Sequence, residues 1–231
     1  MKRFLQRGAR QAQFLDRIDA GEQLGERLAS VADGSALVLG LPRGGVPVAA
    51  EVARALGAEL DVVVARKVGA PHQPELAVGA VTADGGVYLD ARLVEQLGIP
   101  PGLLEELIAR EREVARQREE RFRGHRPYPD LHDRTVILVD DGLATGATMH
   151  AAVHAIRKRR PGRLIVAVPV GSASACASLA EVADEVICLH TPPGFHAVGL
   201  HYADFTPTRD EEVERLLREF RDAEGDPNLA G

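Results

Sequence analysis

Asp140 and Asp141 stand side by side in the run VILVDDGLATGATM, Val136 to Met149, and their neighbours limit what the two acids could do. Ala144, Thr145, Gly146, Ala147 and Thr148 form a small-residue turn, in which a glycine lets the main chain approach a ligand and the threonines add hydroxyl donors. Unpaired N–H groups where such a turn enters a helix attract an anion. The carboxylates would repel a bare polyphosphate. The fitting ligand therefore presents hydroxyls or a divalent cation to the acids and a phosphate to the turn, as a phosphorylated sugar does. The plainer reading of an Asp pair at this place is a helix cap. The full run of apolar residues, paired acids and Thr-Gly-Ala-Thr is more specific than the pair alone.

The acids need a rigid support. Val136 to Val139 are apolar and mostly β-branched, as in a strand buried on both faces of a parallel sheet. A helix is expected from Met149 to Arg160, and in such sheets ligands bind beyond the carboxyl ends of the strands. The same order occurs earlier: strand Ala36 to Gly40, the loop Pro42-Arg43-Gly44-Gly45, then a helix with Pro47 in its first turn and Gly57 at its close. Paired glycines can turn amides towards an oxyanion, and Arg43 offers a positive fork. Strand Asp61 to Ala65 ends in Arg66 and Lys67, an odd pair of cations for a core. The following VGAPHQPELAVGAV, with His72 and Glu75, reads as a mobile lid. Leu76 to Val81 and Gly86 to Asp90 read as a hairpin, and Leu103 to Arg123 as a solvated helix packed on a hood. Strand Leu164 to Val170, with Pro169 ending its pairing, helix Ala173 to Ala183 and strand Glu185 to Leu189 complete the alternation. That alternation argues for an α/β fold, a doubly wound parallel sheet. A helix from Phe14 to Ala32, interrupted by Gly21 and Gly25, is expected over the edge of the core. A closing helix is expected from Asp210 to Phe220, with Thr208 and Glu211 as its capping box.

VILVDDGLATGATM resembles the phosphoribosyl-diphosphate (PRPP) binding motif of the type I phosphoribosyltransferases. The resemblance implies that Asp140 and Asp141 hold the ribose hydroxyls and share a Mg²⁺ ion with the substrate, while Ala144 to Thr148 wrap the 5-phosphate. Arg43-Gly44-Gly45 is similar to the family's diphosphate loop, which often holds a non-proline cis bond, expected here at Pro42-Arg43 or Leu41-Pro42. Arg66-Lys67 resembles the pair that adenine and orotate enzymes carry at the start of a flexible active-site loop. Unlike the orotate enzymes, this chain has no further lysine there, and Ala70 and Pro71 stand in the loop. Catalytic roles are thus implied for Asp140, Asp141, Arg66 and Lys67, and Glu75 and His72 are the lid groups nominated for proton handling. The run TPPGFHAVGLHYADF is similar to one in hypoxanthine-guanine enzymes near the base and metal, with one residue more between Gly199 and Asp204. It implies Phe195 and His196 at the base and Asp204 as a metal ligand with Asp140 and Asp141. Ala144 stands where those enzymes carry an acid for the purine, so no single acceptor is implied.

The resemblance runs over roughly Ala36 to Phe205 and implies a small hood and a flexible lid on the parallel sheet. The expected organisation is a single phosphoribosyltransferase domain over residues 1–221. Its core lies at about 30–70 and 130–190, a lid, hairpin and helical insertion at about 68–130, and hood elements at about 191–221, ahead of a frayed tail at 222–231. A net charge of −6, no tryptophan and 4% aromatic residues argue against a nucleic-acid partner. No apolar run is long enough for a membrane span, and MKRFLQRGAR has no apolar region of a signal peptide. Cys176 and Cys188, the only cysteines, are expected as buried thiols, which fits a cytoplasmic protein. Family precedent implies a homodimer.

The function expected is transfer of the phosphoribosyl group from PRPP to a small nitrogen acceptor, with Mg²⁺ as cofactor and diphosphate as leaving group. Two alternatives stand beside it. One is a PRPP- or nucleotide-binding regulator of the same fold without transfer, although no helix-turn-helix extension is visible. The other is hydrolysis or phosphorolysis of a ribosyl compound.

Overall fold

The computed structural model describes residues 12–31, 36–124 and 126–223. The MKRFLQRGAR run, Ala32 and the tail residues 224–231 lie outside the described residues. In chain order the elements are α1 (Arg17–Leu28), β1 (Leu37–Gly40), α2 (Gly45–Leu56), β2 (Glu59–Val62), β3 (Ala65–Ala70), β4 (Gln73–Thr82), β5 (Val87–Leu89), α3 (Ala91–Gln96) and α4 (Pro101–Arg123). There follow β6 (Thr135–Val139), α5 (Ala147–Arg157), β7 (Arg163–Val170), α6 (Ala173–Leu179), β8 (Glu185–His190), a 3-10 turn (Val198–His201) and α7 (Asp210–Ala223).

Five strands form a parallel sheet in the order β2-β1-β6-β7-β8, as the alternation of elements requires. Both of its faces are covered. Val38, Ile137, Val139 and Ile165 cluster with residues of α1, α2 and α7. Leu37, Leu39, Val136, Leu138 and Val166 cluster with residues of α5 and α6. Successive side chains of a strand point to opposite faces, so every residue of β6 is buried, and after Thr135 its sequence, Val136 to Val139, is an unbroken apolar run.

β3, β4 and β5 make a separate antiparallel sheet. β2 ends at Val62, so Arg66 and Lys67 lie on β3 of the small sheet instead of closing a core strand. The stretch expected as a lid forms β3 and the first part of β4, turning at Pro71 and His72, where His72 has φ 64. The ladder shifts register on both sides of Gly69, and a Cβ there would lie 2.5 Å from Pro74 O. α4 starts with a proline at its first position and packs Leu104, Leu107 and Ile108 on Val68, Val78 and Val81, so it covers the small sheet. Gly21 and Gly25 do not interrupt α1. They admit α2, since a Cβ at Gly25 would lie 2.6 Å from Ala55 Cβ. Pro169 does not end pairing either: Val170 still pairs with His190. Residues 222 and 223, expected to fray, close α7. No helix among the described residues is long and apolar enough to cross a membrane.

Candidate active site at the carboxyl edge of the parallel sheet

β6 brings Asp140 and Asp141 to the sheet edge beside the end of β1, where Gly40 pairs with Val139 and Leu41 N donates to Val139 O at 2.9 Å. The chain then passes through a cis peptide bond at Pro42-Arg43 into Gly44 and Gly45. These glycines press against the acids. A Cβ on Gly44 would lie 2.0 Å from Asp141 Oδ2, and one on Gly45 would lie 2.8 Å from Asp140 Cα. The acidic pair and the Arg-Gly-Gly loop, found far apart in the sequence, thus share one surface.

Asp140 Oδ1 accepts a hydrogen bond from Asp141 N at 2.9 Å. Burial, then the neighbouring charge of Asp141, push the Asp140 carboxyl well above the usual carboxylate range, while Asp141 N, Arg17 and Lys67 pull against that shift. Burial also raises Asp141, against the opposing pull of Arg17. Sequence reasoning missed Arg17. Its Nε donates to Asp141 Oδ2 at 2.9 Å, its Nη2 forms an ion pair with the same oxygen at 2.8 Å, its Nη1 donates to Thr206 O at 2.8 Å, and its guanidinium lies 3.9 Å over the Phe205 ring. A cation in the first turn of a helix runs against the helix dipole, and that was the available signal. Tyr202, also missed, donates its hydroxyl to Asp141 O at 2.6 Å.

Behind the small-residue turn, Leu143 is fixed to the end of β7 through bonds with Val170 O and Ser172 N, and Ser172 Oγ donates to Ala144 O at 2.8 Å. Gly146, with φ 76, caps α5. Among the described residues the N–H groups of Ala144, Thr145 and Gly146 have no protein acceptor, and Ala147 N has only Thr145 Oγ1 at 3.4 Å. The turn is therefore an open anion cradle beside the acids.

A cavity of about 670 Å³ reaches from Pro42 and Thr148 to the small sheet, where Arg66, Lys67, His72, Glu111 and Arg118 line it. Arg66 donates to Glu111 Oε2 through Nε at 3.2 Å and Nη2 at 3.0 Å. Other expected residues lie elsewhere. Glu75 is exposed on β4 and is not part of the cavity wall. Phe195 stacks on His201 with centroids 5.5 Å apart, and His196 lines a different cavity of about 600 Å³ with Gln13, Pro192 and Leu200. The Asp204 carboxylate accepts from Thr206 N and Oγ1, bonds that hold it below the usual range. Among the described residues no group of three His, Cys, Asp or Glu side chains could hold a metal, so Asp204 is not gathered with Asp140 and Asp141. The pair itself is an all-oxygen donor set. It fits Mg²⁺ as an ion that takes its remaining oxygens from a substrate.

Paired acids and two glycine loops at the carboxyl edge of a parallel sheet define the type I phosphoribosyltransferase arrangement. Residues 12–198 match the family model described as phosphoribosyl transferase domain, and the chain belongs to that family. The crystal structure of TT1426 from Thermus thermophilus is similar at a TM-score of 0.77 and 48% identity, covering 90% of this chain and 99% of that one. Two Mycobacterium tuberculosis proteins, from strains CDC 1551 / Oshkosh and ATCC 25618 / H37Rv, each carry the name "Putative phosphoribosyl transferase". Each is 44% identical over 225 residues, covering 94% of this chain and 51% of the relative. The chain thus spans about half the length of those relatives.

Proposed function

We propose that this protein transfers the 5-phosphoribosyl group of PRPP to a nitrogen acceptor and releases diphosphate. The observation that carries this reading is the packing of Gly44 and Gly45 directly on Asp141 and Asp140, beside an anion cradle with open amides. One ligand can then meet amides at both ends and carboxylates between.

Asp140 and Asp141 accept hydrogen bonds from the ribose hydroxyls, and the amides of Ala144 to Thr148 bind the 5-phosphate. Arg43, the Gly44 and Gly45 main chain, Arg66 and Lys67 take the diphosphate. As the bond from the anomeric carbon to diphosphate oxygen breaks, the acceptor nitrogen bonds to that carbon and loses its proton. Negative charge then grows at the cationic end of the cleft, where fixed donors stabilise it. Mg²⁺, when bound through Asp140 and Asp141, neutralises the substrate oxygens and orients them. His72, on the cavity wall, is assigned to the acceptor proton, while Glu75, Phe195, His196 and Asp204, which are not part of that wall, are assigned no role in transfer.

Calorimetry with ribose 5-phosphate and PRPP in the presence of Mg²⁺ tests the site, and diphosphate release with a panel of nitrogen acceptors tests the reaction. Binding that disappears in Asp140→Asn and Asp141→Asn supports the reading; binding unchanged in both variants sinks it. The second reading, a PRPP-binding regulator, is favoured by the hold of Arg17 on Asp141 and of Glu111 on Arg66. It requires PRPP binding with no diphosphate release for any acceptor. The family expectations of a homodimer and of a cytoplasmic location go with the first reading, and sedimentation tests the dimer.

A further inference from the structure

We propose that Arg118 of α4 is a diphosphate-binding residue, supplying from a neighbouring helix the cation that the turn between β3 and β4 lacks. The inference rests on the phosphoribosyl-transfer reading and adds a residue to the same cleft. Ala70, Pro71 and His72 at that turn provide no lysine or arginine. Arg66 is committed to Glu111, and Arg110 Nε lies 3.5 Å from the other oxygen of the same carboxylate. Of the cations on the cavity wall, those two share one counter-ion. Among the described residues Lys67 and Arg118 form no ion pair.

Arg118 follows Glu111 by two helical turns and therefore lies on the same face of α4. It lines the cavity with Pro42, Lys67 and Thr148. It is half-buried, and among the described residues it makes no hydrogen bond or ion pair. Its neighbours on α4 behave otherwise. Arg116 pairs with Glu113 and Glu120, Arg121 with Asp210 and Glu214, and Arg123 with Asp61. Arg112 has an unpartnered Nε, yet it is not part of the cavity wall. Of the two α4 arginines on the cavity wall, Arg110 therefore shares Glu111 with Arg66, and Arg118 is left without a carboxylate among the described residues.

A half-buried guanidinium without a counter-charge loses hydration with no compensating bond in the ligand-free fold. An anion entering the cavity supplies that bond. The planar fork of arginine suits two phosphate oxygens at once, and Lys67 offers a point charge from a different element. Pro42 on the same wall leads directly into Arg43-Gly44-Gly45, which places Arg118 at the diphosphate end. The 5-phosphate is met by main-chain amides.

The test is calorimetry in Mg²⁺ with inorganic diphosphate and ribose 5-phosphate titrated separately into wild type, Arg118→Gln and Arg118→Lys. The diphosphate Kd is expected to rise at least about tenfold in Arg118→Gln and to recover partly in Arg118→Lys. Ribose 5-phosphate should stay within about twofold in both, since a charge acting only through solvent is screened. Unchanged diphosphate binding in Arg118→Gln, with both ligands still held by wild type, overturns the role of Arg118 and leaves the phosphoribosyl reading standing. An equal loss for both ligands also overturns it, as a general field effect. Wild type that binds neither ligand overturns both readings. Arg118→Met, which keeps the stem of the side chain and a good helix former, serves if the first variant does not fold.

Discussion

A methyl group at Gly44 would reach well inside van der Waals contact with Asp141 Oδ2, and the carboxylate can move only by leaving Arg17. Gly44→Ala is therefore expected to cost about 1–3 kcal/mol of stability, as overpacking does, and to weaken ribose 5-phosphate binding, read by denaturant unfolding and calorimetry. At Asp140 folding and ligand binding ask for opposite things. Its carboxyl is raised by burial, so its contribution to stability is full below the ordinary Asp range and is lost as pH climbs through the raised value. Asp140→Asn should consequently melt above wild type at pH 8, with the gap closing towards pH 4, while losing ribose 5-phosphate binding. Thermal melts at the two pH values check the first part; a lower melting point at pH 8 would contradict it. Arg17 shows the converse. It and Asp141 are 11% and 15% exposed, and removing one member of a buried pair strands the other. Arg17→Ala should cost about 3 kcal/mol in urea unfolding.

Among the elements, α4 carries a pH dependence of its own. Its C-terminal half buries Glu119 beside Arg123 and Val64, and desolvation pushes this carboxyl up to about 7, with Arg123 and the Val64 main chain opposing. The ordinary value is lower, so this carboxyl adds full stability in acid and loses it as pH rises through about 7. Glu119→Gln should gain on the order of 1–3 kcal/mol over wild type between pH 5 and pH 8, measured by urea unfolding at both. The elements also show why legibility differed. β1, β6 and β7 were readable because two covered faces leave no polar position beyond Thr135 and Arg163 at the starts of β6 and β7. The Arg-Gly-Gly loop and the small-residue turn were readable because each needs glycine, Gly44 and Gly45 for close packing on the acids and Gly146 for its positive φ. β3 and β4 were read as a lid because Gly69, Pro71 and Pro74 look like loop residues, although the ladder accommodates them by shifting register. Arg17 and Tyr202 were missed for a different reason. Their partner Asp141 lies 124 and 61 positions away, and no local pattern records such a bond.

For the molecule as a whole, a net charge of −6 surrounds a cleft with several cations, and ligand binding should be felt globally. Ribose 5-phosphate at a hundred times its Kd should stabilise the fold by about 2.7 kcal/mol. For a chain of this size that is a rise of roughly 5–10 °C in Tm, readable by scanning calorimetry in Mg²⁺, and no rise at saturation would mean that the ligand does not select the folded site. The acidic pair is also where distant parts of the chain are fastened together. Phe14 bridges to Tyr202, Arg17 reaches Thr206 across 189 positions, and both Arg17 and Tyr202 hold Asp141. Positions 17, 141 and 202 are thereby one inherited unit, so among descendants of this gene a change at any of them should arrive with compensating changes at the others, and random drift at a single member should be rare.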